Sequence, residues 1–424
     1  MSRVNRRNFL QSSAGLLAGA GLAPHLLTGT VQSLAGEPGS KNDRFVIGSI
    51  GLGGQGTSIA NAARRYGDVV AVCDVDQSRA EKAKGEFGGK AEIYGDYRKL
   101  LERPDIELVT IGTPDHWHTA IAVAALRAGK DVYCEKPLTL TVDEGKLLVR
   151  VVKETGRVFQ VGTQQRSDAR FRLACELVRN GRIGKLQKVT VTLPDSDAGG
   201  PFATKPVPPG LNWDFWLGQA PATEYIPERC HYQFRWWYEY SGGIMTDWGA
   251  HHMDIAHWGM GVDQSGPLSV EGHGTLPKIA NGYNTPNRFT VDYLYPNDVQ
   301  LHVDIGDNGV LFEGDKSRVY VNRGRITGKP VEELAENPLP EDRVKLYASN
   351  NHMGNFIDCV RSRQTPISDV VSQHRSVSAC HLANISLRLG RKLNWDVAKE
   401  EFVGDSEANA MLSRPQRAPY TIDA

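Results

Sequence analysis

Short apolar segments alternate with amphipathic segments between residues 44 and 161. Short apolar runs are typical of buried strands, and apolar residues at helical spacing are typical of helices packed on a sheet. Strands are predicted at 44–50, 69–74, 91–94, 106–111, 130–134 and 157–161, and helices at 59–66, 77–87, 96–102, 116–128 and 141–155. This alternation predicts an α/β domain with a doubly wound, parallel sheet.

The pattern changes after about residue 166, where strand-like runs follow one another with few helices between them. Gly, Pro and Asn separate these runs, as they often separate antiparallel strands. We therefore predict a second α/β domain with a large open, mostly antiparallel sheet. Its strands are predicted at 186–193, 268–275, 289–295, 299–305, 310–313 and 318–321, with helices at about 350–362 and 370–391. The chain after residue 404 is expected to be loosely ordered.

The composition is that of an ordinary water-soluble globular protein: of 424 residues, 40% are hydrophobic and 23% are charged. These values exclude a disordered or collagen-like chain. Lys and Arg together number 49, as do Asp and Glu, so no net basic charge favours nucleic acid as a partner. No segment reaches the roughly 20 uninterrupted apolar residues that a membrane span needs. The six cysteines lack metal-binding spacing and are expected to be free thiols.

The first 35 residues have the three parts of an export signal. Arg6 and Arg7 precede a weakly apolar run at 14–27, and residues 33–35 (Ser-Leu-Ala) have the small side chains of a cleavage site. The arginine pair predicts export to the periplasm by the twin-arginine route, which carries proteins already folded in the reducing cytoplasm. A disordered basic tail or a short anchor is the alternative.

A glycine-rich segment, Gly51-Leu-Gly-Gly-Gln-Gly56, joins the first predicted strand to the first predicted helix. With Asp74 at the end of the next strand, this is the context of a dinucleotide-binding fingerprint. Gly51 would make the tight turn, Gly53 would admit the pyrophosphate, and Gly56 would let helix and strand pack closely. Asp74 would bind ribose hydroxyls and repel a 2′-phosphate, which favours NAD, whereas Arg79 leaves NADP possible. A tight turn without a ligand is the alternative.

Two further polar segments follow the fourth and fifth predicted strands, where the carboxyl ends of parallel strands line a ligand crevice. In residues 113–118 (TPDHWH), His116 and His118 either contact a cofactor or cap the following helix. The second segment contains Glu135 and Lys136. A lysine at the end of a buried strand is costly without a partner, which makes Lys136 a candidate site residue. An ion pair with Glu135, or a surface lysine, is the alternative.

A predicted helix starting near residue 245 has four notable side chains on one face, because positions i, i+4, i+7 and i+11 coincide in a helix. These residues are Asp247, His251, Asp254 and Trp258. An imidazole one turn from a carboxylate is well placed to act as a base. The polar residues also have metal-ligand spacing, and a polar face packed under the sheet is a third interpretation.

Residues 213–240 contain ten aromatic residues, far more than the overall aromatic content of 8% predicts. Flat rings beside arginines, here Arg229 and Arg235, are a common means of binding sugars. A locally aromatic core or a subunit interface is the alternative. The tryptophans of this segment are Trp213, Trp216, Trp236 and Trp237.

Together, these motifs resemble the glucose–fructose oxidoreductase/inositol dehydrogenase/MocA family over residues from about 44 to 396. The residues at 241–243 are Ser-Gly-Gly where the family has three glycines, a minor departure. The segment at 161–166 resembles the one that lies beside the nicotinamide in the family. The matching segments are 51–56, 113–118, 135–137, 161–166 and 247–254.

The resemblance implies a Rossmann domain and an α/β domain with a large open sheet, with NAD (or NADP) bound between them. It divides the chain into a signal peptide (1–35), a linker (36–43), the cofactor-binding domain (44–165), the substrate-binding domain (166–396) and a tail (397–424). An exposed sheet face of this type often forms dimers or tetramers, so a homo-oligomer is expected.

The resemblance also implies roles for individual residues. Lys136 would bind the reacting oxygen, His251 would exchange the hydroxyl proton, and Asp247 would support His251. The metal interpretation of the helix thereby becomes a minor alternative, and no metal is predicted. The expected cofactor-binding residues are Gly51, Gly53, Gly54, Gln55, Gly56, Asp74, Thr113, Pro114, His116, His118, Glu135, Lys136 and Gln164, and the expected substrate-binding residues are Arg166, Trp237 and Asp254.

The predicted function is that of an oxidoreductase that transfers a hydride between nicotinamide and a sugar, polyol or glycoside. An exported protein meets no evident pool of free nicotinamide, so we expect a retained cofactor that is regenerated in the same site. A glycoside-cleaving enzyme that works by oxidation, elimination and reduction is one alternative. A dehydrogenase with an exchanging cofactor and a non-catalytic sugar-binding protein are the others.

Overall fold

The computed structural model describes residues 44–422, so the predicted signal peptide (1–35) and linker (36–43) lie outside the described residues. The first sheet consists of β1 (Phe45–Ile50), β2 (Gly67–Cys73), β3 (Glu92–Tyr94), β4 (Leu108–Ile111), β5 (Asp131–Cys134) and β6 (Phe159–Val161). These strands are parallel, in the order β3-β2-β1-β4-β5-β6. The predicted parallel sheet is confirmed. The order reverses between β1 and β4, so the loops after these two strands leave the sheet side by side.

Five helices connect these strands: α1 (Gly54–Ala63), α2 (Gln77–Glu86), α3 (Tyr97–Leu101), α4 (Asp115–Arg127) and α5 (Val142–Thr155). Side-chain caps define where α2 and α5 begin. Asp76 accepts a hydrogen bond from the backbone N–H of Ser78, and Thr141 accepts one from that of Glu144. Such caps satisfy donors that a helix leaves unpaired in its first turn. The residue before α1 is Gly53, which makes no side-chain cap.

The second sheet has nine strands in the order β13-β12-β11-β7-β10-β9-β8-β14-β15. They are β7 (Leu186–Leu193), β8 (Ser269–Gly274), β9 (Phe289–Leu294), β10 (Gln300–Ile305), β11 (Gly309–Gly314), β12 (Arg318–Val321), β13 (Ile326–Thr327), β14 (Leu393–Asp396) and β15 (Glu401–Phe402). β7 and β10 pair in parallel, whereas the other pairs are antiparallel. The predicted open, mostly antiparallel sheet is confirmed. The short strands β13, β14 and β15 were not predicted.

The helices of the second half are α6 (Ala169–Arg179), α7 (Trp213–Leu217), α8 (Ile244–Met260), α9 (Lys329–Glu332), α10 (His352–Ser362), α11 (Val370–Leu389) and α12 (Ser406–Ala410). α8 packs against α6, α11 and β7, so it lies between the second sheet and the other helices. The helices predicted near residues 245, 350–362 and 370–391 are present, whereas α6 was not predicted.

α10 packs on the first domain although it is far away in sequence. Its residues Met353, Phe356 and Ile357 are buried in the same apolar cluster as Ile47 of β1 and Ile59 of α1. Burial of these side chains removes apolar surface of both segments from water. The folded cofactor-binding domain therefore includes residues from well beyond position 165.

Residues 405–422 are folded, so the prediction of a loosely ordered chain after residue 404 was wrong. Ala408 of α12 and Leu412 are buried in the core of the second domain. The ring of Tyr420 stacks on Phe215 with their centroids 5.4 Å apart, and Tyr420 Oη donates a hydrogen bond to Asp214. Aromatic packing and hydrogen bonding hold this segment, and neither has a periodic signature in the sequence.

A buried ion-pair network connects the end of the first domain to α8. The Arg166 guanidinium donates to both carboxylate oxygens of Asp254, at 2.7–3.0 Å, and to Asp263 at 2.6 Å. Gln373 of α11 donates to the same Asp254 carboxylate. The Arg166 and Asp254 side chains are 5% and 0% exposed, so the predicted substrate-binding role of both residues is wrong. Their charged groups are already satisfied by one another and are closed off from solvent.

Trp237, the third predicted substrate-binding residue, is also buried. Its indole N–H donates to the carbonyl of Glu228, and the Arg229 guanidinium lies 3.6 Å from the ring centroid. The predicted pairing of arginine and aromatic ring exists here, but it stabilises the core of the second domain. For Trp237, the alternative of a locally aromatic core is therefore correct.

All six cysteines are buried free thiols. Burial raises the pKa of these thiols, which keeps them protonated and unreactive. No helix within residues 44–422 is long and apolar enough to cross a membrane.

Substitution Asp254→Ala is expected to lower the free energy of unfolding by about 3 kcal/mol or more, because it leaves part of a buried arginine charge unpaired. The measurement is chemical denaturation followed by intrinsic fluorescence. As a control, Asp307→Ala breaks the exposed pair with Arg325 and should change stability by less than about 1 kcal/mol. A stable Asp254→Ala protein that fails to bind substrate would restore the substrate-binding role of Asp254.

Candidate active site

A cavity of about 550 Å³ lies along the carboxyl ends of β1, β2, β4 and β5 and is closed by segments of the second domain. Because β2 and β5 lie on opposite sides of β1 and β4, residues after β2 and residues after β5 mark opposite ends of the cavity. The predicted site residues that line it are Gly51, Gly53, Gly54, Gln55, Asp74, Thr113, Pro114, Glu135, Lys136, Gln164, Asp247 and His251.

The glycine-rich loop has the geometry that the sequence predicted. Gly51 has a φ of +78°, and a Cβ atom there would collide with the backbone of Thr113. A Cβ atom on Gly56 would collide with the Gly51 carbonyl, so this position packs α1 against β1 and does not line the cavity. Gly54 faces open space at the start of α1. The start of a helix, with open space beside Gly54, suits the pyrophosphate of a dinucleotide.

Asp74 lies directly after β2 and fits the ribose of such a dinucleotide. Its two carboxylate oxygens accept hydrogen bonds from the backbone N–H groups of Leu52 and Asp76, at 2.7 and 2.9 Å. Burial raises its pKa, and these two donors oppose the rise. Each oxygen keeps a lone pair for a hydroxyl donor. Arg79 also lines the cavity, with its guanidinium over Gly53, so a cation stands beside the ribose site.

Second-domain residues cover the Asp74 end of the cavity. Leu211 forms an isolated antiparallel bridge with Asp76, and the Gly210 carbonyl accepts a hydrogen bond from the backbone N–H of Gln77. His231, which lines the cavity, lies with its Nε2 atom 3.3 Å from the Asp76 carboxylate. A dinucleotide in the cavity would therefore have both domains around its adenosine half.

Lys136 and Asp247 form an ion pair across the two domains at the other end of the cavity. Lys136 Nζ donates to Asp247 Oδ1 at 2.5 Å and to the Asp247 carbonyl at 3.1 Å. Arg235 Nε lies 3.6 Å from the second carboxylate oxygen. Burial would raise the pKa of Asp247, but the two cations outweigh it and the pKa is lowered. Asp247 is therefore ionised and holds Lys136 in place.

His251 lies one helical turn after Asp247, as predicted, with 5% of its surface exposed. Its Nδ1 atom has no hydrogen-bond partner among residues 44–422. Burial lowers the pKa of His251 well below 6.5, and Lys136 and Arg323 lower it further. The imidazole is therefore neutral and able to accept a proton.

The predicted support of His251 by Asp247 needs correction. Both oxygens of the Asp247 carboxylate lie against Lys136 and Arg235, because cations attract a carboxylate more strongly than a neutral imidazole does. Asp254 points away to Arg166. No group of three or more His, Cys, Asp or Glu residues in the described part of the chain is arranged as a metal site.

Glu135 connects the loops around the reactive end of the cavity. Its Oε1 atom accepts hydrogen bonds from the side-chain amides of Gln55 and Gln164, at 2.8 and 3.1 Å. Its Oε2 atom accepts from the backbone N–H of Lys136. Burial raises the pKa of Glu135, and the bond from Gln55 opposes this rise. The lysine side chain pairs with Asp247, so the alternative of a Glu135–Lys136 ion pair was wrong.

His116 and His118 do not line the cavity, so their predicted contact with the cofactor is wrong. Both lie within α4, fully buried, and neither caps the helix. His116 Nε2 bonds to the Trp216 carbonyl, and the Nδ1 and Nε2 atoms of His118 lie 2.7 and 3.0 Å from the carbonyl oxygens of Pro137 and Thr113, of which a neutral imidazole donates to one. They hold together the backbone around the cavity.

Sequence reasoning missed two charged residues of the cavity. Asp115 begins α4 and accepts a hydrogen bond from Ser241 Oγ at 2.5 Å. Burial raises the pKa of Asp115 to about 7. Arg323 comes from the turn between β12 and β13. Asp115 lies inside the 113–118 segment that the sequence placed beside a ligand crevice, so its role could have been predicted. Arg323 lies in a turn without any recognisable motif.

Comparisons with known proteins agree with this arrangement. Residues 45–163 match the family described as "Oxidoreductase family, NAD-binding Rossmann fold". Residues 199–422 match "Oxidoreductase family, C-terminal alpha/beta domain". The two matches are to the N-terminal and C-terminal domains of the Gfo/Idh/MocA proteins, and the first covers the glycine-rich loop, Asp74 and Lys136.

Three proteins illustrate the similarity. Scyllo-inositol 2-dehydrogenase (NAD(+)) of Bacillus subtilis (strain 168) is 28% identical over 353 residues, which are 78% of this chain and 90% of that protein. Glycosyl hydrolase family 109 protein 2 of Shewanella sp. (strain ANA-3) is 33% identical over 44% of this chain and 45% of that protein.

The third is a solved structure, the aldose-aldose oxidoreductase from Caulobacter crescentus complexed with glycerol. It matches with a TM-score of 0.60 and 19% identity over 83% of this chain and 99% of that one, which is a likeness of fold. The two domain matches cover most of the chain and meet at the cavity described above. The chain belongs to the Gfo/Idh/MocA oxidoreductase family.

Proposed function

We propose that the protein is an NAD-dependent oxidoreductase that acts on a CH–OH group of a carbohydrate or polyol. The observation that carries the proposal is the pair formed by a fixed lysine, Lys136, and a neutral histidine, His251, whose Nδ1 atom has no hydrogen-bond partner in the described residues, in a cavity that also fits a dinucleotide. The Bacillus relative is named as an inositol dehydrogenase that uses NAD+, which supports a polyhydroxylated substrate.

The residues of this chain have separable tasks in such a reaction. NAD, when bound, supplies the acceptor or donor of a hydride. The N-terminus of α1 and Asp74 hold its pyrophosphate and ribose. Lys136 Nζ donates a hydrogen bond to the reacting oxygen and stabilises negative charge there. His251 accepts the hydroxyl proton during oxidation and returns it during reduction. Asp247 keeps the ammonium group of Lys136 in position.

We also propose that the cofactor stays bound between turnovers. The second domain covers the Asp74 end of the cavity through Leu211 and His231, which supports slow exchange. Export by the twin-arginine route after folding would fit this arrangement. Each turnover then combines an oxidation with a reduction in one site, either of a second sugar or of the same sugar after epimerisation or elimination. Cell fractionation tests the periplasmic location, and light scattering tests the expected homo-oligomer.

Cleavage of a glycoside by oxidation, elimination and reduction is the second candidate. The Shewanella relative, 33% identical over 205 residues, is named as a glycosyl hydrolase. Elimination needs a base for the proton next to the transient carbonyl, and His251 lies at that end of the cavity and can act as this base once it has passed the hydroxyl proton to solvent. The two candidates share the oxidation step and differ in the net product.

Purified protein is expected to release a nicotinamide dinucleotide on acid treatment. Incubation with a panel of sugars, polyols and glycosides should give product without accumulation of free NADH. The measurements are absorbance at the nicotinamide band and chromatography of products. NADH formed in proportion to product would refute the proposal that the cofactor is regenerated in the same site. The proposed dehydrogenase activity would then still stand. A protein with no bound nucleotide that also binds none when it is added would refute the proposed function.

Substitution Lys136→Ala is expected to lower kcat about 100- to 1000-fold, because it removes the donor that stabilises charge on the reacting oxygen. Steady-state kinetics with the active sugar measures the loss. Lys99→Ala is the control, since Lys99 is an exposed lysine paired with Glu102 and should keep wild-type kinetics. Full biological activity of Lys136→Ala would favour the third interpretation, a sugar-binding protein without catalysis.

In the pH profile of the oxidation reaction, the fall in kcat/KM on the acidic side should occur below pH 6.5. Protonation of His251 removes the base, and its lowered pKa moves that loss to lower pH. The measurement is kcat/KM between pH 5 and pH 9 in the wild type and in Asp115→Asn. Asp115 has a pKa of about 7, so a limb near neutrality that disappears in Asp115→Asn belongs to that carboxyl. An acidic limb above pH 6.5 that persists in this variant contradicts the assignment of His251.

A further inference from the structure

The turn between β12 and β13 presents Arg323 to the cavity. Asn322 Oδ1 accepts hydrogen bonds from the backbone N–H groups of Gly324 and Arg325, both at 2.9 Å, and the Asn322 N–H donates to the Arg325 carbonyl. These bonds fix the backbone of the turn. The Arg323 side chain forms part of the lining of the cavity and is exposed.

The Arg323 guanidinium stacks over the ring of Trp248, with its central carbon 4.4 Å from the ring centroid. This cation–π contact uses the flat face of the guanidinium and leaves the N–H groups at its edge available. No other residue in the 44–422 range forms a hydrogen bond or an ion pair with Arg323 among the contacts described. A guanidinium that lines the cavity thus keeps donors without a described protein acceptor.

The nearby carboxylates are each occupied by other groups. Burial lowers the pKa of Arg323, and Asp247, Asp168 and Glu135 offset this only in part. Asp247 is shared by two other cations, Asp168 is paired with Arg170 at 2.6 Å, and Glu135 accepts hydrogen bonds from two glutamine amides. The positive charge of Arg323 therefore lacks a dedicated counter-charge in the protein.

We propose that Arg323 binds an anionic group of the substrate, so that the substrate is a carbohydrate that bears a carboxylate or a phosphate. The planar fork of a guanidinium matches both groups through paired hydrogen bonds. Trp248 also contacts His251 edge-on, with ring centroids 5.9 Å apart, so one indole ring contacts both the proposed anion-binding group and the proposed base. The proposal rests on the proposed function and names the class of its substrate.

The test compares matched ligands on the NADH-loaded protein. The probes are glucose, galactose and mannose, each with its uronate and its 6-phosphate, and affinities are measured by calorimetry. The wild type should bind at least one anionic probe about tenfold or more tightly than the neutral parent, and Arg323→Gln should lose that preference. Arg325→Gln is the matched control, because it removes the same charge from the same turn but outside the cavity lining, and it should keep the preference.

Comparison of the affinities for the uronates and for the 6-phosphates identifies which of the two anions is recognised. Neutral sugars that bind as tightly as their anionic partners overturn the inference and leave the proposed function intact. An anionic preference that survives in Arg323→Gln also overturns it, as does an equal loss of NADH affinity in that variant, which would make Arg323 a cofactor ligand. If no probe of either kind binds, the inference is overturned, whereas the proposed function is judged separately by release of the nucleotide and by the wider panel of sugars, polyols and glycosides.

Discussion

The ion pair between Lys136 and Asp247 joins the two domains at the reactive end of the cavity, and the other features of the site depend on it. Both side chains are less than one-fifth exposed, with Nζ and Oδ1 2.5 Å apart. In such surroundings, a charge without a partner is costly, so each residue constrains the position of the other. The Asp247 carboxylate pairs with the lysine and not with His251, and burial, together with the charges of Lys136 and Arg323, lowers the pKa of His251 and keeps it neutral.

The interface between the domains holds further buried polar contacts of the same kind. Arg166, which directly follows the first domain, and Asp254 satisfy one another, and Ser241 of the second domain donates a hydrogen bond to Asp115 of α4. These contacts resist separation of the domains because opening would expose or unpair them. The cavity therefore lies at an interface held by buried polar contacts, which constrain the position of Lys136. Preorganisation of this kind is what charge stabilisation during a reaction requires.

Much of the fold could be predicted from the sequence, because strands and helices of a doubly wound sheet have strong periodic patterns. The glycine-rich loop and Asp74 were also recognisable, since backbone geometry restricts which residues fit there. α6 was missed although Phe171, Ala174 and Val178 are spaced as on one helix face. The helical spacing was therefore present in the sequence, but it lies directly after the predicted boundary between the two domains.

Side-chain partners were harder to predict than elements. Asp254 shares a helix face with Asp247 and His251, yet packing directs it to Arg166. His118 has the right sequence position for a cofactor contact and is turned inward to two carbonyl groups. Arg323 reaches the cavity from a turn whose position depends on the pairing of β12 with β13. Such long-range choices follow from tertiary packing, which local sequence does not encode.

The stacking of Tyr420 on Phe215 has a consequence for the order of events during synthesis. Phe215 lines the cavity, and the ring that supports it is made by the ribosome only after about half of the chain has followed. α10, which completes the first domain, is likewise made long after β1 and α1. A nascent chain that has just produced its glycine-rich loop thus lacks two of the surfaces that surround a dinucleotide. Both surfaces are complete only after residue 420 has been made and its ring has packed on Phe215.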